Sequence, residues 1–491
     1  MEKRAALRDG PRSHIVEVKR GGEKPAPSHP FRLSALELLS AYRARKLSPA
    51  EAMASVIARV EAFEPHIAAT WLYAPERALK EARESEARWM KAEPIGPLDG
   101  VPVTVKDNIH TKGEPTPAGT AASDMTPAEA DAPPAARLRE AGAVIFAKTT
   151  MPDYGMLSSG LSSHHKLARN PWKRDRNPGG SSAGAGAAAA ACYGPLHVGT
   201  DIGGSIRLPA GWCGVFGLKP SAGRVPIDPP YLGRAAGPIA RTAADAGLMM
   251  ATLSLPDPRD YASLKYEALD WAIKPAPLKG LTIGLLMEAG CGVPPTAEVR
   301  AAVARAARDF EAAGARVEPI APFLTQDMLD GLDHFWRTRA LIDLNALAPE
   351  RRATVLPFIR EWAESANGFS GQHVFRGFSQ IPAMQKATVA ATLPFDYVLT
   401  PTAPMTAFPA EWASPSRDPL NPFPHIGFTV AFNMSGQPAA SIPCGFSAEG
   451  LPIGLQIVGR RFDDVGVLSV ARAYEDIRSA EMRPWPEPPG G

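Results

Sequence analysis

The middle of the chain carries the stretch 177–210, NPGGSSAGAGAAAAACYGPLHVGTDIGGSIRLPA, in which most side chains are small. Such a composition could form a flexible linker. It could also form a closely packed centre, because small side chains let backbones approach each other and a ligand. The run 183–192, in which only Gly interrupts Ala before Cys192, favours a buried helix. We therefore expect a packed, functional centre rather than a linker.

Strand and helix patterns alternate on both sides of this stretch. The segment 101–105, VPVTV, is rich in β-formers and follows the turn pair Asp99-Gly100. Two capping boxes, Ser34 with Glu37 and Ser48 with Glu51, predict helix starts near the beginning of the chain. Further strands are predicted at 143–147, 281–286, 316–319, 397–400, 439–442 and 454–458, and helices at 50–63, 75–92, 134–140, 297–312 and 465–477. This alternation indicates an α/β architecture.

Charge and cysteine content exclude several classes of function. The 53 basic and 51 acidic residues nearly cancel, so the chain has no global field to attract nucleic acid or an anionic membrane. None of the four cysteines has a partner at zinc-ligand spacing, so we expect no metal and no cofactor. No apolar run reaches the ~20 residues of a membrane span. Residues 1–30 lack the apolar core of a signal peptide and are interpreted as a flexible arm of a cytoplasmic protein.

The second glycine-serine cluster has the features needed for nucleophilic attack on an amide. Consecutive N–H groups from Ile202 to Ser205, including those of Gly203 and Gly204, could form an anion-binding nest beside the Ser205 hydroxyl. Asp201 is expected to orient this loop. The identity of the proton acceptor stays open. It is either one of the two adjacent histidines at 164–165 or a lysine made neutral by burial. Lys106, at the end of an apolar strand, has the setting that burial requires.

Several long motifs, in order, resemble those of the amidase signature family. They are Asp99-Gly-Val-Pro-Val-Thr-Val-Lys-Asp-Asn108, Asn177-Pro-Gly-Gly-Ser-Ser-Ala-Gly-Ala-Gly186, Gly199-Thr-Asp-Ile-Gly-Gly-Ser-Ile-Arg-Leu-Pro-Ala210, Cys213-Gly-Val-Phe-Gly-Leu-Lys-Pro220 and Gly436-Gln-Pro-Ala-Ala-Ser-Ile-Pro443. The resemblance is close over 98–243 and looser to 474. It implies a single large α/β domain with a central mixed, mostly parallel twisted sheet covered by helices on both faces. The implied domain spans 31–480, with a catalytic core at 98–243 and a tail at 481–491.

The resemblance also implies a Ser–cisSer–Lys catalytic group. Ser205 matches the nucleophile, Ser181 the serine after a cis peptide bond with Gly180, and Lys106 the base. Neutral Lys106 would draw the Ser205 proton through Ser181, and an acyl-enzyme would form at Ser205. Ser182 either supports the site by hydrogen bonding or caps the helix that follows it. Arg207 contacts a substrate or pairs internally.

Three alternatives compete with this interpretation. Residues 180–184 match the G-x-S-x-G pattern of an α/β-hydrolase esterase, with Ser182 as nucleophile and a required His, but no strong strand precedes them. Residues 184–189 imitate a dinucleotide-binding loop, again without the strand. The family that the motifs resemble also includes the A subunit of the glutamyl-tRNA amidotransferase, although 151–165 looks more like the stand-alone amidases.

The substrate is predicted from the segments that vary within such a family. These are 151–161 and a mixed helical region at 326–391. Tyr154, Met156 and Leu157 are candidate pocket residues because their stretch carries little charge. We therefore expect a linear, largely apolar small-molecule amide, with aryl amides, esters or carbamates as further possibilities. Neither nucleic acid nor membrane is expected as a partner, and a homodimer is the expected assembly.

Overall fold

A computed structural model describes residues 29–489, and their strands form one sheet of 11 strands. The predicted flexible arm lies outside the described residues apart from 29 and 30. The strands are β1 (Thr70–Tyr73), β2 (Pro102–Lys106), β3 (Val144–Thr149), β4 (Leu196–Asp201), β5 (Phe216–Lys219), β6 (Ala235–Ala240), β7 (Thr282–Leu285), β8 (Arg316–Pro319), β9 (Tyr397–Pro401), β10 (Ala439–Phe446) and β11 (Pro452–Val458). Their spatial order is β1-β3-β2-β4-β6-β5-β10-β11-β9-β7-β8.

The single α/β domain and its mixed sheet are confirmed, but the expectation of mostly parallel strands needs correction. Parallel pairing is confined to β3-β2-β4 on one side and β9-β7-β8 on the other. The remaining described pairings, β1-β3 and all those from β4 through β9, are antiparallel. The prediction came from the helix-connected units. The short connection 447–451 makes β10 and β11 an antiparallel hairpin, whereas β5 and β6 become antiparallel neighbours across the longer loop 220–234.

Helices surround the sheet, and their starts agree with the local sequence signals. They are α1 (Ala35–Arg43), α2 (Pro49–Ile67), α3 (Pro75–Met90), α4 (Pro133–Glu140), α5 (Ala183–Ala190), α6 (Arg207–Cys213), α7 (Ala243–Leu253), α8 (Ala297–Ala312), α9 (Gln326–Asn345), α10 (Pro349–Arg352), α11 (Pro357–Glu364), α12 (Gly371–Thr392), α13 (Gly427–Met434) and α14 (Asp464–Ile477), with short 3-10 turns at Pro30–Arg32 and Asp153–Gly155. Both predicted capping boxes are formed, at the N-termini of α1 and α2.

Helices cover both faces of the sheet. The alternating directions of the side chains along β10 illustrate this. Ala440, Ile442 and Cys444 are buried in the main apolar cluster with residues of α7, α8 and α14. Ser441 points the other way, toward Gly211 of α6. The two small-residue helices, α5 and α6, contact each other and the sheet there. The predicted packed centre is therefore present, because Gly and Ala let α5 and α6 lie close to the strands.

Candidate active site

The site forms where the ends of β2 and β4 meet the loop that follows β2 and the segment between β3 and α5. A cavity of about 470 Å³ opens there, lined by Ser181, Thr200, Asp201, Ile202, Gly203 and Ser205. Ser181 stands just before α5, and Ser205 lies between β4 and α6. The sequence-predicted serines are thus brought to one cavity from separate elements.

Lys106 ends β2 and is completely buried. Its Nζ lies 2.8 Å from Ser181 Oγ, 3.0 Å from Thr200 Oγ1 and 3.5 Å from the Thr200 carbonyl oxygen. Burial, with a further contribution from the positive charge of Arg234, holds the pKa of Lys106 well below its usual value. A neutral amine has two N–H donors and one lone pair, so Nζ can donate to Thr200 and accept a proton from Ser181.

The Gly180–Ser181 peptide bond is cis, as the resemblance implies. Gly180 packs tightly against the backbone of Ser159 and does not line the cavity. The Ser182 backbone N–H donates to the Ser205 carbonyl oxygen at 3.1 Å, which ties the two serine loops together. The hydrogen bonds among residues 29–489 do not include one between Ser205 Oγ and Ser181 Oγ. The two hydroxyls therefore share the cavity without a hydrogen bond between them.

Ser182 supports the site by hydrogen bonding and does not cap α5. Its Oγ donates to the Thr200 carbonyl oxygen at 3.1 Å and accepts from the Thr200 N–H at 3.3 Å. The side chain stands at the N-cap position but accepts no capping bond from α5. Both contacts are to the backbone of β4, so Ser182 fixes the strand that carries the candidate oxyanion loop.

Asp201 organises the loop that leads to Ser205. Its carboxylate accepts from the N–H groups of Gly204 at 2.8 Å and Ile206 at 3.0 Å. Arg207 pairs with it at 2.9 Å, and both side chains are fully buried. Burial alone would raise the pKa of Asp201, but Arg207 and the donors around it hold that pKa well below its usual value.

This network changes the predicted set of oxyanion donors. The Gly204 N–H is directed at Asp201 Oδ1, so it is engaged within the loop. Within residues 29–489, the N–H groups of Ile202, Gly203 and Ser205 donate no hydrogen bond. The candidate nest is therefore smaller than the predicted Ile202–Ser205 run, because the carboxylate that shapes the loop also consumes one of its donors.

Arg207 forms the predicted internal ion pair, with Asp201, and does not contact the cavity. Besides Asp201, its guanidinium donates to Gln456 Oε1 at 2.7 Å, the Thr429 carbonyl oxygen at 2.9 Å and Asn433 Oδ1 at 2.5 Å. It does not line the cavity. Arg207 thus connects the candidate oxyanion loop to β11 and α13 in the carboxyl-terminal part of the fold.

The histidine pair that could have supplied a base lies elsewhere. His165 Nε2 is 3.1 Å from Asp107 Oδ2, and both side chains are buried. His164 stacks edge-on against Trp71. Neither histidine lines the cavity that holds Ser181 and Ser205. The geometry therefore offers Lys106 rather than this pair as the proton acceptor.

The predicted pocket residues Tyr154, Met156 and Leu157 do line the cavity. Sequence reasoning missed other lining residues that come from distant segments: His110, Pro229, Pro230, Tyr231, Arg234, Phe423 and Ile426. Trp336, Arg339 and Asp343 come from α9, within the predicted variable region. The Pro-Pro-Tyr sequence at 229–231 was a usable signal, because a rigid turn with an aromatic residue is typical of a pocket wall.

Comparison with known proteins assigns the chain to a family. The Amidase family model matches residues 51–468. The chain is 35% identical to the A subunit of the glutamyl-tRNA(Gln) amidotransferase of Moorella thermoacetica, over 92% of this chain and 98% of that protein. The corresponding protein of Myxococcus xanthus is 34% identical, over 90% and 96%. The chain therefore belongs to the Amidase, or amidase signature, family and is an amidohydrolase.

Solved structures agree with this assignment. A bacterial aryl acylamidase of the amidase signature family superposes with a TM-score of 0.83 at 30% identity, covering 91% of this chain and 96% of that chain. The native peptide amidase from Stenotrophomonas maltophilia gives a TM-score of 0.79 at 26% identity, covering 93% and 99%. The predicted family and fold are thus confirmed.

The predicted partners are wrong in the light of these relatives. We expected a small-molecule amide and no nucleic acid. The curated relatives from Moorella and Myxococcus are subunits of an enzyme named for glutamyl-tRNA(Gln). The prediction failed because net charge reports only the average over the surface, and one member of an assembly need not itself carry a basic nucleic-acid face. Within residues 29–489, no helix is both long and apolar enough to cross a bilayer.

Proposed function

We propose that this chain cleaves the C–N bond of a carboxamide by acyl transfer to Ser205, as the amide-cleaving subunit of an amidotransferase. The observation that carries the chemistry is the buried Lys106 amine, 2.8 Å from Ser181 Oγ in the cavity wall shared with Ser205. The similarity to the amidotransferase subunits along nearly the whole chain supports the setting.

The proposed reaction begins with proton transfer. Neutral Lys106 accepts the Ser181 hydroxyl proton while Ser181 accepts that of Ser205, and Ser205 Oγ forms a bond to the amide carbon. The developing oxyanion is held by the N–H groups of Ile202, Gly203 and Ser205. As the C–N bond breaks, the proton returns through Ser181 to the departing nitrogen, which leaves as ammonia from a primary amide. Water then hydrolyses the acyl ester at Ser205.

The chemistry is tested by comparing serine, lysine and histidine variants. Ser205→Ala and Lys106→Ala are expected to reduce ammonia release from glutamine and p-nitroaniline release from p-nitroacetanilide by at least roughly 10³-fold. The His164→Ala/His165→Ala double variant is the matched control, because neither ring lines the cavity, and it should keep its activity. Loss of activity in the double variant, with Lys106→Ala still active, would show that the base is misassigned.

The setting is tested by reconstitution. The chain is combined with the other subunits of the Moorella enzyme and with glutamyl-tRNA(Gln), and amide transfer to the tRNA is measured with glutamine as donor. Transfer that depends on this chain and is lost with Ser205→Ala supports the subunit role. A rate of glutamine hydrolysis that is the same with and without the other subunits and the tRNA contradicts the subunit role.

A second candidate is hydrolysis of aryl amides, favoured by one observation. Trp336, Phe423 and Tyr154 give the cavity an aromatic wall, and the aryl acylamidase structure superposes over 91% of the chain. Aromatic rings bind a flat apolar group without losing much side-chain entropy. A kcat/KM for p-nitroacetanilide far above that for glutamine would favour this candidate. For either function we propose a cytoplasmic setting, since Cys192, Cys213, Cys291 and Cys444 are all free thiols.

A further inference from the structure

The cavity contains one cation whose charge its own lining does not neutralise. Arg234 stands just before β6 and lines the cavity with Ser181 and Ser205. Within residues 29–489 its guanidinium makes a single hydrogen bond, from Nη1 to the Pro229 carbonyl oxygen at 3.0 Å, and no carboxylate lies within ion-pairing distance. The other N–H groups of the Arg234 guanidinium are therefore available to a ligand. A guanidinium can bind a carboxylate through two parallel hydrogen bonds.

The other charged groups of the cavity are already balanced. Asp201 is neutralised by Arg207. Arg339 and Asp343, one turn apart on α9, lie 3.9 Å from each other. Burial, with the nearby charge of Lys148, lowers the pKa of His110 below its usual value, so its ring is neutral at pH 7.

Burial lowers the pKa of Lys106 and favours its neutral form, whereas Arg234 keeps its charge. Burial, followed by the charge of Arg339, lowers the pKa of Arg234 to about 10, which leaves it protonated at pH 7. Asp228 and Asp260 oppose this shift, but the Asp260 carboxylate is already bound to the N–H groups of Ile227 and Ala262. Among the residues that line the cavity, Arg234 is thus the cation without an ion-pair partner within residues 29–489, and Asp228 is not part of the lining.

We propose that Arg234 is a specificity-determining residue that binds an anionic group, such as a carboxylate, on the amide substrate. A partly buried cation without a partner is costly, and a substrate carboxylate would remove that cost while fixing the amide against Ser205. Trp336 and Phe423 add apolar surface to the same cavity, which would accept the rest of the substrate. This inference rests on the proposed amide cleavage and adds a selection rule for the amide.

Binding is measured first, so that the test does not depend on turnover. Calorimetry with the Ser205→Ala protein compares succinamate, which carries a carboxylate, with butyramide, which is neutral and of similar length. Succinamate is expected to bind more tightly than butyramide. The Ser205→Ala/Arg234→Gln protein should bind succinamate roughly 10- to 100-fold more weakly, the range of one charge-assisted hydrogen bond. Ser205→Ala/Arg234→Lys should recover part of this loss, because it keeps the charge without the fork.

Ammonia release by the otherwise unmodified enzyme then separates this inference from the proposed function. Arg234→Gln should raise KM for succinamate far more than for butyramide. Arg376→Gln, an exposed arginine on α12, is the matched control and should change neither. Equal binding of the two amides to Ser205→Ala, or an equal rise of KM for both amides in Arg234→Gln, overturns the role of Arg234. Release from neither amide by the wild type, with selective succinamate binding intact, instead contradicts the proposed chemistry.

Discussion

The proposed chemistry depends on one buried side chain, Lys106. An aliphatic amine in water is protonated at neutral pH and cannot accept a proton. Complete burial, together with the charge of Arg234, favours its neutral form. The same desolvation that prepares a base also makes the folded state release a proton that the unfolded chain would keep. Activity and stability should therefore both depend on pH through this residue.

The pH dependence of activity follows from the lowered pKa of Lys106. Protonated Lys106 has no lone pair to accept the Ser181 proton, so kcat/KM should rise with pH and level off once the amine is neutral. Arg234→Gln removes a positive charge that favours neutral Lys106. In this variant kcat/KM should therefore rise at higher pH than in the wild type. The measurement is the kcat/KM profile of both proteins for a neutral amide. A profile that falls across this range would contradict Lys106 as base.

The stability test uses Lys106→Met, which keeps most of the side-chain volume. Since the folded pKa is lowered, the unfolded chain binds more protons than the folded chain between the folded pKa and the unfolded pKa of about 10.4. The cost of Lys106 to the free energy of unfolding is therefore largest at low pH and falls as pH rises toward the unfolded pKa. Lys106→Met should therefore raise Tm, and by more at pH 6 than at pH 9. Lys91→Met, at an exposed position after α3, is the control. Equal gains at both pH values would mean that Lys106 is charged when folded.

At the scale of the elements, contacts on two sides hold the loop between β4 and α6. Gly204 adopts φ +124°, a conformation that L side chains rarely adopt. Its neighbour Gly203 has its carbonyl oxygen bound by Thr429 Oγ1 at 2.6 Å, so α13 holds the loop from outside. The loop is thus fixed from within by Asp201 and from outside by Thr429, which keeps the candidate oxyanion donors in position.

Gly204→Ala should destabilise the protein through this loop. A Cβ there would lie 2.6 Å from Thr429 Oγ1 and 2.8 Å from Leu208 Cδ1, in addition to the strained φ. We expect a loss of about 1–3 kcal/mol in the free energy of unfolding, measured by urea denaturation. Gly371→Ala is the matched control, because nothing lies within 4 Å of its added Cβ at the start of α12. Equal losses in both variants would refute the steric argument.

At the scale of the whole molecule, the carboxyl-terminal end holds the amino-terminal helices to the core. Glu487 forms ion pairs with Arg32 and with Arg59, whose side chain is only 5% exposed. Trp485 packs against the small residues of α5 and α6 and against Trp172. Over its described residues, the predicted tail at 481–491 therefore contacts the turn Pro30–Arg32 and α2.

Glu487→Gln tests this contact. The variant leaves Arg59 buried without its carboxylate partner, so we expect a loss of about 1 kcal/mol and a lower Tm in thermal denaturation. The half-exposed position of Glu487 keeps the loss below that of a fully buried pair. Glu481→Gln, an exposed residue of the same segment, should leave Tm unchanged. An unchanged Tm in Glu487→Gln would show that the ends are not coupled through this pair.

The order of elements and the chemistry-bearing side chains could be predicted from sequence because their signals are local. The capping boxes at Ser34 and Ser48 and the predicted helix at 297–312 depend on residues a few positions apart. The family and the candidate residues Lys106, Ser181 and Ser205 follow from motifs whose letters are contiguous.

The remaining features depend on contacts between distant segments, and only the tertiary structure decided them. The antiparallel centre of the sheet depends on which strands become neighbours, and no local pattern specifies that. The buried pair of Asp201 and Arg207 belongs to a network that also includes Gln456 of β11 and Asn433 of α13, both distant in sequence. Arg234 faces the cavity as its unbalanced cation because α9, β6 and the loop after β4 converge there. Local sequence sets what each segment can form, whereas long-range packing sets which charges are buried, paired or left for a ligand.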